Sequence, residues 1–489
     1  MITKILTSLL VFLFVFSVPL KAQDNLEKGI SAVKRGDYVQ ALELLKGVSK
    51  DSYEANLYYG IALFETGSSG DAEKSLKSAI SKDNERPEAY SILGEIYTEQ
   101  KKYSEAAVQF EKSKNFLPLN KSKDDLEKAE IELIISVLKA ESENFIADGK
   151  VDKAIASLTT AKIYDDKNPL IYVGLGDAYY ARGAFEPAKT NYDQALKYKS
   201  NYAPALYGLG KIAFKKKKYS EALENFLKAT DADNNFAPAF FEKGLIFYYL
   251  DRFVDAIDAF ERYDKLVPGS PRGKTYLAKA YYGKRDCERS KQILDEVLAK
   301  DPNYSEANKY YAYCLIENKE YEKALEYFNK IKPEDLNAED ETKIATIYIS
   351  LKEFSKAYEH LDKAILMDSL EANTYFEYGK AYFGEQKYTE ANEKFAKSIE
   401  LGVLNVGTYV YSAISYYYTK EYQLGIDRLN QYLEKDPSIA IKSVYLWYGN
   451  NYVGLNKNTE ACESYKKYLE FEPNDQFVKD QVQNLCEPK

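Results

Sequence analysis

The 489 residues include four cysteines and one histidine, so thiol and imidazole chemistry is confined to very few places. Cys287 and Cys314 stand 27 positions apart, and Cys462 and Cys486 stand 24 apart. Thiols at such spacings can ligate zinc, act as nucleophiles, pair as disulfides or stay buried and inert. Zinc finds no C-x-x-C here, and the sole histidine, His360, is distant from either pair. Base catalysis would rest on that same residue, which sits in the ordinary helical stretch EHLDKAIL, and no G-x-S-x-G or P-loop pattern occurs. The stretch DADNNFAPAFFE sets Asp231, Asp233, Asn235 and Glu242 at calcium-loop positions, but Phe236 stands where that loop requires glycine. No catalytic residue, metal or cofactor is therefore expected. Whether the thiols pair or stay free depends on their compartment and on the elements that hold them.

The N-terminus bears on the compartment. MITKILTSLLVFLFVFSVPLKAQ has a lysine near its start, an apolar core from Ile5 to Val18, then Pro19 and the small Ala22. An apolar run of this length falls short of the roughly 20 residues of a membrane span and reads as a signal peptide. Residues 1–22 are expected to be removed, leaving Gln23 first, with an uncleaved anchor as the alternative. The chain is thus expected to be exported, to the periplasm or beyond the cell, with no transmembrane span after cleavage. Loss of two lysines and no acids moves the formal charge from -9 to -11. Such an acidic chain is a poor ligand for nucleic acid.

No linker or low-complexity tract divides the remainder, and an internal repeat organises it instead. YSILGEIYTEQKKYSEAAVQFEKSKNFLP, from Tyr90 to Pro118, returns as YVGLGDAYYARGAFEPAKTNYDQALKYKS from Tyr172 and as LYGLGKIAFKKKKYSEALENFLKATDADN from Leu206. Thirteen units can be anchored on one small residue each: Ala41, Ala72, Ala106, Ala154, Ala188, Ala222, Ala256, Ser290, Ala324, Ala357, Ala391, Gly425 and Ala461. Most successive anchors are 34 apart. Tyr90, Leu93, Gly94 and Tyr97 form an apolar stripe at helical spacing, and Ala106, Phe110 and Ser113 form its counterpart. Neither hairpin half can bury its stripe alone, so neighbouring units must stack.

This period, with its Tyr-x-x-Leu-Gly-x-x-Tyr first helix and Ala-x-x-x-Phe second helix, resembles the tetratricopeptide repeat over nearly all of the mature chain. The resemblance implies an all-α, right-handed superhelical solenoid of about 13 helix–turn–helix units. Residues 23–118 would form units one to three, 119–168 an extended fourth unit, 169–474 units five to thirteen, and 475–489 a C-terminal capping helix. The extension follows from the 48-residue step between Ala106 and Ala154. It is expected as one long helix capped by Ser122 and running to about Ala147.

Within such a stack, each cysteine pair brackets the turn between a second helix and the helix after it. Bridges to more distant units are excluded when units touch only their neighbours, so the expected pairs are Cys287–Cys314 and Cys462–Cys486. Each would contribute roughly 3 to 4 kcal/mol in the chain-entropy model. Buried free thiols are the alternative. Phe477, Val478, Val482 and Leu485 are read as the apolar stripe of the capping helix, which the second bridge would pin.

The family generally binds partners in a concave groove lined by the fifth, ninth and twelfth positions of its first helices. Those positions hold Tyr207, Lys211 and Phe214; Phe241 and Tyr248; Lys279 and Tyr282; Lys309 and Tyr313; and Lys380 and Phe383. Elsewhere they are mixed, as with Glu95 and Thr98. The expected function is a non-enzymatic protein-interaction scaffold of the cell envelope, with aromatic anchors and lysines facing a protein or peptide. The alternatives are a cell-wall glycan stacked on the same rings, or rings that merely pack against neighbouring helices. The paired lysine–asparagine clamp of chaperone-binding members is absent, so that specificity does not carry over.

Overall fold

The computed structural model describes residues 20–48, 52–403, 405–435 and 441–486. Residues 1–19 of the expected leader lie outside the described residues. Among the described residues there are 27 α-helices and no strand, so the chain is all-α. Consecutive helices pair as hairpins, and the hairpins fall into two compact units divided between Leu250 and Asp251.

The hairpin Pro87–Glu99 and Tyr103–Asn115 shows why the repeat folds. Pro87 opens its first helix at a position where a missing N–H costs nothing, and Glu88 faces the positive helix end. The first helix stops at a left-handed residue, Lys101, with φ 59°. Residues of the same kind recur at Lys217, Asp251, Arg285, Lys319, Lys352, Gln386, Lys420 and Asn456, so the repeat extends to the turn conformation. Ala106, Phe110 and Ser113 are fully buried on the second helix. All thirteen anchor residues are buried as well. The close approach at Gly94 is made by the Phe110 ring rather than by Ala106: a Cβ on Gly94 would lie 2.7 Å from Phe110 Cζ. Gly210 and Phe226 repeat that fit at 2.4 Å. Glycine in the first motif and phenylalanine in the second are therefore one packing device.

Two local expectations need correction. The long helix is Lys128–Ala147, preceded by a separate 3-10 turn at Lys123–Asp125. Its cap is Glu127, which forms a reciprocal capping box with Glu130. Ser122 instead donates to Asp125 Oδ2 at 2.7 Å. At the other end, Gln476–Cys486 packs through Val478, with Val482 and Leu485 beside it, whereas Phe477 is 63 % exposed. Positions 478, 482 and 485 share one helical face, and Phe477 is about 100° from it.

Candidate functional site

In the first compact unit, the helices Tyr53–Glu65, Pro87–Glu99 and Lys128–Ala147 frame a recess of about 410 Å³. Phe64, Thr98 and Ala140 line it together with Glu65, Glu95, Glu99 and Glu143. Glu95 and Glu143 occupy the ninth position of successive first helices, 48 residues apart like their anchors Ala106 and Ala154. Glu65, Glu99 and Glu143 are exposed, while Glu95 is half-buried. Its Oε1 is shut off from solvent and meets no donor. Burial, then the Glu143 carboxylate, push the Glu95 carboxyl up to about 8. Glu99 is raised for the same reasons, burial first and then Glu65. Thr98 is fixed between the Gly94 carbonyl at 2.9 Å and Asn144 Oδ1 at 3.1 Å. Buried Lys139 pairs with Glu143, leaving the other three carboxylates without an ion pair among the described residues. Composition had drawn attention to the aromatic repeats and passed over this place. The visible signal was glutamate at one repeat position in two successive units.

The eleven residues expected to face a partner divide by burial. Phe241, Lys309 and Tyr313 are buried, a correction to their expected place on an open groove. Lys309 Nζ lies 2.7 Å from Asp340 Oδ2 and donates to the Asp335 carbonyl at 2.6 Å. Tyr313 donates to Asp340 Oδ1 at 2.5 Å. Asp340 itself caps the helix Ala338–Ser350 in a box with Asn337. Lys309 and Tyr313 are thereby built into the start of the next first helix. Burial, then Asp340, raise the Tyr313 hydroxyl far above the ordinary tyrosine value.

The other eight residues are half-buried. Tyr207 packs 5.7 Å from Phe226, Phe214 packs 5.6 Å from Tyr219, and Tyr248 packs 5.7 Å from Tyr249, by ring centroids. Lys211 pairs with Asp177 at 3.1 Å and lies over the Tyr180 and Tyr207 rings. Tyr282 meets Tyr310 and Tyr313, and Phe383 meets Tyr388 and Tyr411. Lys279 pairs with Glu306, and Lys380 pairs with Glu377, each at 2.8 Å. All four lysines thus already have carboxylate partners.

Cys462 and Cys486 are joined, with Cα atoms 5.6 Å apart. Cys287 and Cys314 are thiols, contrary to the expected bridge, although each is the other's hydrogen-bonding neighbour. Burial raises both thiols and holds them protonated. His360 Nδ1 lies 2.5 Å from buried Glu341 Oε2 and stacks on Tyr348, which makes it part of the packing. Asp231 lies in the helix Tyr219–Ala232, and Asp233 Oδ1 accepts from the Asn235 N–H in the turn that follows.

Tetratricopeptide repeat models match residues 26–86, 60–114 and 218–271, residues 283–341, and residues 443–475. A TPR repeat model matches residues 176–217. No curated protein matches the chain. Among solved structures, the APC/C hetero-tetramer Cut9-Hcn1 is similar at 12% identity, covering 96% of this chain and 97% of that one, with a TM-score of 0.47. PilF of Pseudomonas aeruginosa is similar at 18% identity over 40% of this chain and 90% of its own, with a TM-score of 0.36. MamA (41-end) of Desulfovibrio magneticus RS-1 is similar at 21% identity over 34% and 93%, with a TM-score of 0.32. With its matched segments spread over more than half of its length and its small buried anchors in step throughout, the chain belongs to the tetratricopeptide repeat family.

Proposed function

We propose that the chain is an exported, non-enzymatic scaffold of the cell envelope that holds a protein partner against its first helices. Members of this family bind protein partners. The observation that carries the reading is the recess among three successive first helices, which hairpin packing leaves open and into whose lining it sets Glu95 with one oxygen that meets no donor. The signal-like stretch from Ile5 to Val18 supports export. Among the described residues no helix is long and apolar enough to cross a membrane. Export to an oxidising compartment would also let neighbouring Cys287 and Cys314 become a bridge, passing two electrons and two protons to a disulfide donor. The glycan reading is the poorer one, because the lysines it assigns to acidic sugars are each paired with a carboxylate.

Crosslinking in the native envelope, followed by affinity purification, tests this. A protein linked to first-helix residues, on a chain whose intact mass begins at Gln23 and whose non-reduced peptides include Cys287–Cys314, is the expected result. A chain that retains residues 1–22, or captures glycan and no protein, overturns it.

A further inference from the structure

The recess in the first compact unit has a definite chemistry, and it differs from that of the aromatic repeats. Its wall is apolar at Phe64 and Ala140, and its remaining lining is Thr98 and the acidic Glu65, Glu95, Glu99 and Glu143. Among the described residues Lys139 is the one cation paired to this set, and it is committed to Glu143. Glu95 Oε1 has given up water without gaining a donor. An acceptor in that state costs about 1–3 kcal/mol unless something occupies the site. From this shape and charge we infer that the recess seats one lysine or arginine side chain projecting from a protein partner.

Physical chemistry selects that occupant. A basic side chain has a methylene stem that lies along apolar surface while its head reaches polar ground, and the recess presents both surfaces. Several donors on one head can meet Glu95 and a rim carboxylate together, in hydrogen bonds strengthened by charge. A bare divalent cation is a poor alternative, because among the described residues no three acidic, histidine or cysteine side chains converge as ligands. An acidic or phosphorylated segment would meet the like charges of Glu65, Glu99 and Glu143. The inference rests on the scaffold reading above, to which it adds the identity of the group recognised.

The test uses the full chain and a random nonapeptide display library. Selected peptides are expected to share a lysine or arginine at one fixed position. Changing that residue to glutamine should weaken binding about thirty-fold, as should Glu95→Gln on the protein, because a bound cation ionises Glu95 and the desolvated pair so formed loses one member. Glutamine is isosteric with the glutamic acid it replaces, so the fold should survive, as unchanged circular dichroism would show. Glu99→Lys on the exposed rim supplies a second variant, and it should abolish binding by placing a cation in the mouth. Selected peptides without a shared basic residue, or unchanged binding to both variants, overturn the proposal. Envelope crosslinking separates this failure from that of the scaffold reading. If wild type and Glu95→Gln capture the same protein equally well, the recess assignment falls and the scaffold stands. If wild type captures no protein, the scaffold reading falls.

Discussion

Lys309 and Glu95 are both ionisable residues on the inner positions of first helices, one in each compact unit, and they have opposite fates. Lys309 is buried against Asp340 and the Asp335 carbonyl, and Tyr313 completes the cluster from the same helix. Glu95 is shielded at one oxygen, which meets no donor, and it has no ion pair among the described residues. Position in the repeat thus determines which face a side chain occupies. Whether that face remains available depends on the complementary group supplied by the next repeat. A second internal cluster in the first unit obeys the same rule: Arg86 pairs with Glu54 at 2.6 Å and Glu88 at 3.2 Å and lies over the Tyr53 ring.

The largest test of this contrast is Lys309→Ala. It leaves Asp340 buried without its cation, so equilibrium denaturation should show a loss of about 3–5 kcal/mol, whereas a groove-lining lysine would cost almost nothing. Tyr313→Phe removes only the hydroxyl and strands Asp340 Oδ1. A loss of about 1–3 kcal/mol with unchanged helicity is expected, and an unaffected midpoint would return Tyr313 to the list of possible anchors.

Glu95 should behave in the opposite sense. Its folded-state value of about 8 lies above the ordinary 4.5, so the folded chain retains a proton there that the unfolded chain releases across that window. Stability should therefore fall as pH rises through the window, and Glu95→Gln should remove that dependence without lowering stability at pH 7. Among the described residues, the carboxylates of Glu65, Glu99 and Glu143 and the ammonium of Lys139 face Glu95. Parallel melting curves of wild type and variant across pH 5–9 would expose a wrong sign.

The smallest expected effect is a control common to both regions. Lys101 and Lys319 occupy the same left-handed turn position, at φ 59° and 61°. Glycine at either should stabilise by roughly 0.5–1 kcal/mol, because it removes a Cβ clash at some cost in unfolded-chain entropy. Equal gains would show that the hairpins match and that only their inner faces differ. Unequal gains would place part of the contrast in the turns.

By itself the sequence determined the helical hairpins, their period and the small residues at their centre. These follow from spacing along one chain: Ala106, Phe110 and Ser113 share a face wherever a helix forms, and all are buried. Spacing also brought each cysteine close to its expected partner. It could not decide whether the sulfurs bond, which depends on their oxidation, and in the structure only Cys462 and Cys486 do. Nor could it place the cap of the long helix, where the side-chain type pointed to Ser122 and the reciprocal bonds with Glu130 put the cap at Glu127. The functional face was the least legible part. Tyr313 and Lys309 have the residue types of a binding surface, as Glu95 and Glu143 have those of an ordinary solvated helix. Only the tertiary structure showed that Asp340 consumes the first pair and that among the described residues Glu95 Oε1 meets no donor, because pairing is settled between repeats by which groups packing brings within a few ångströms.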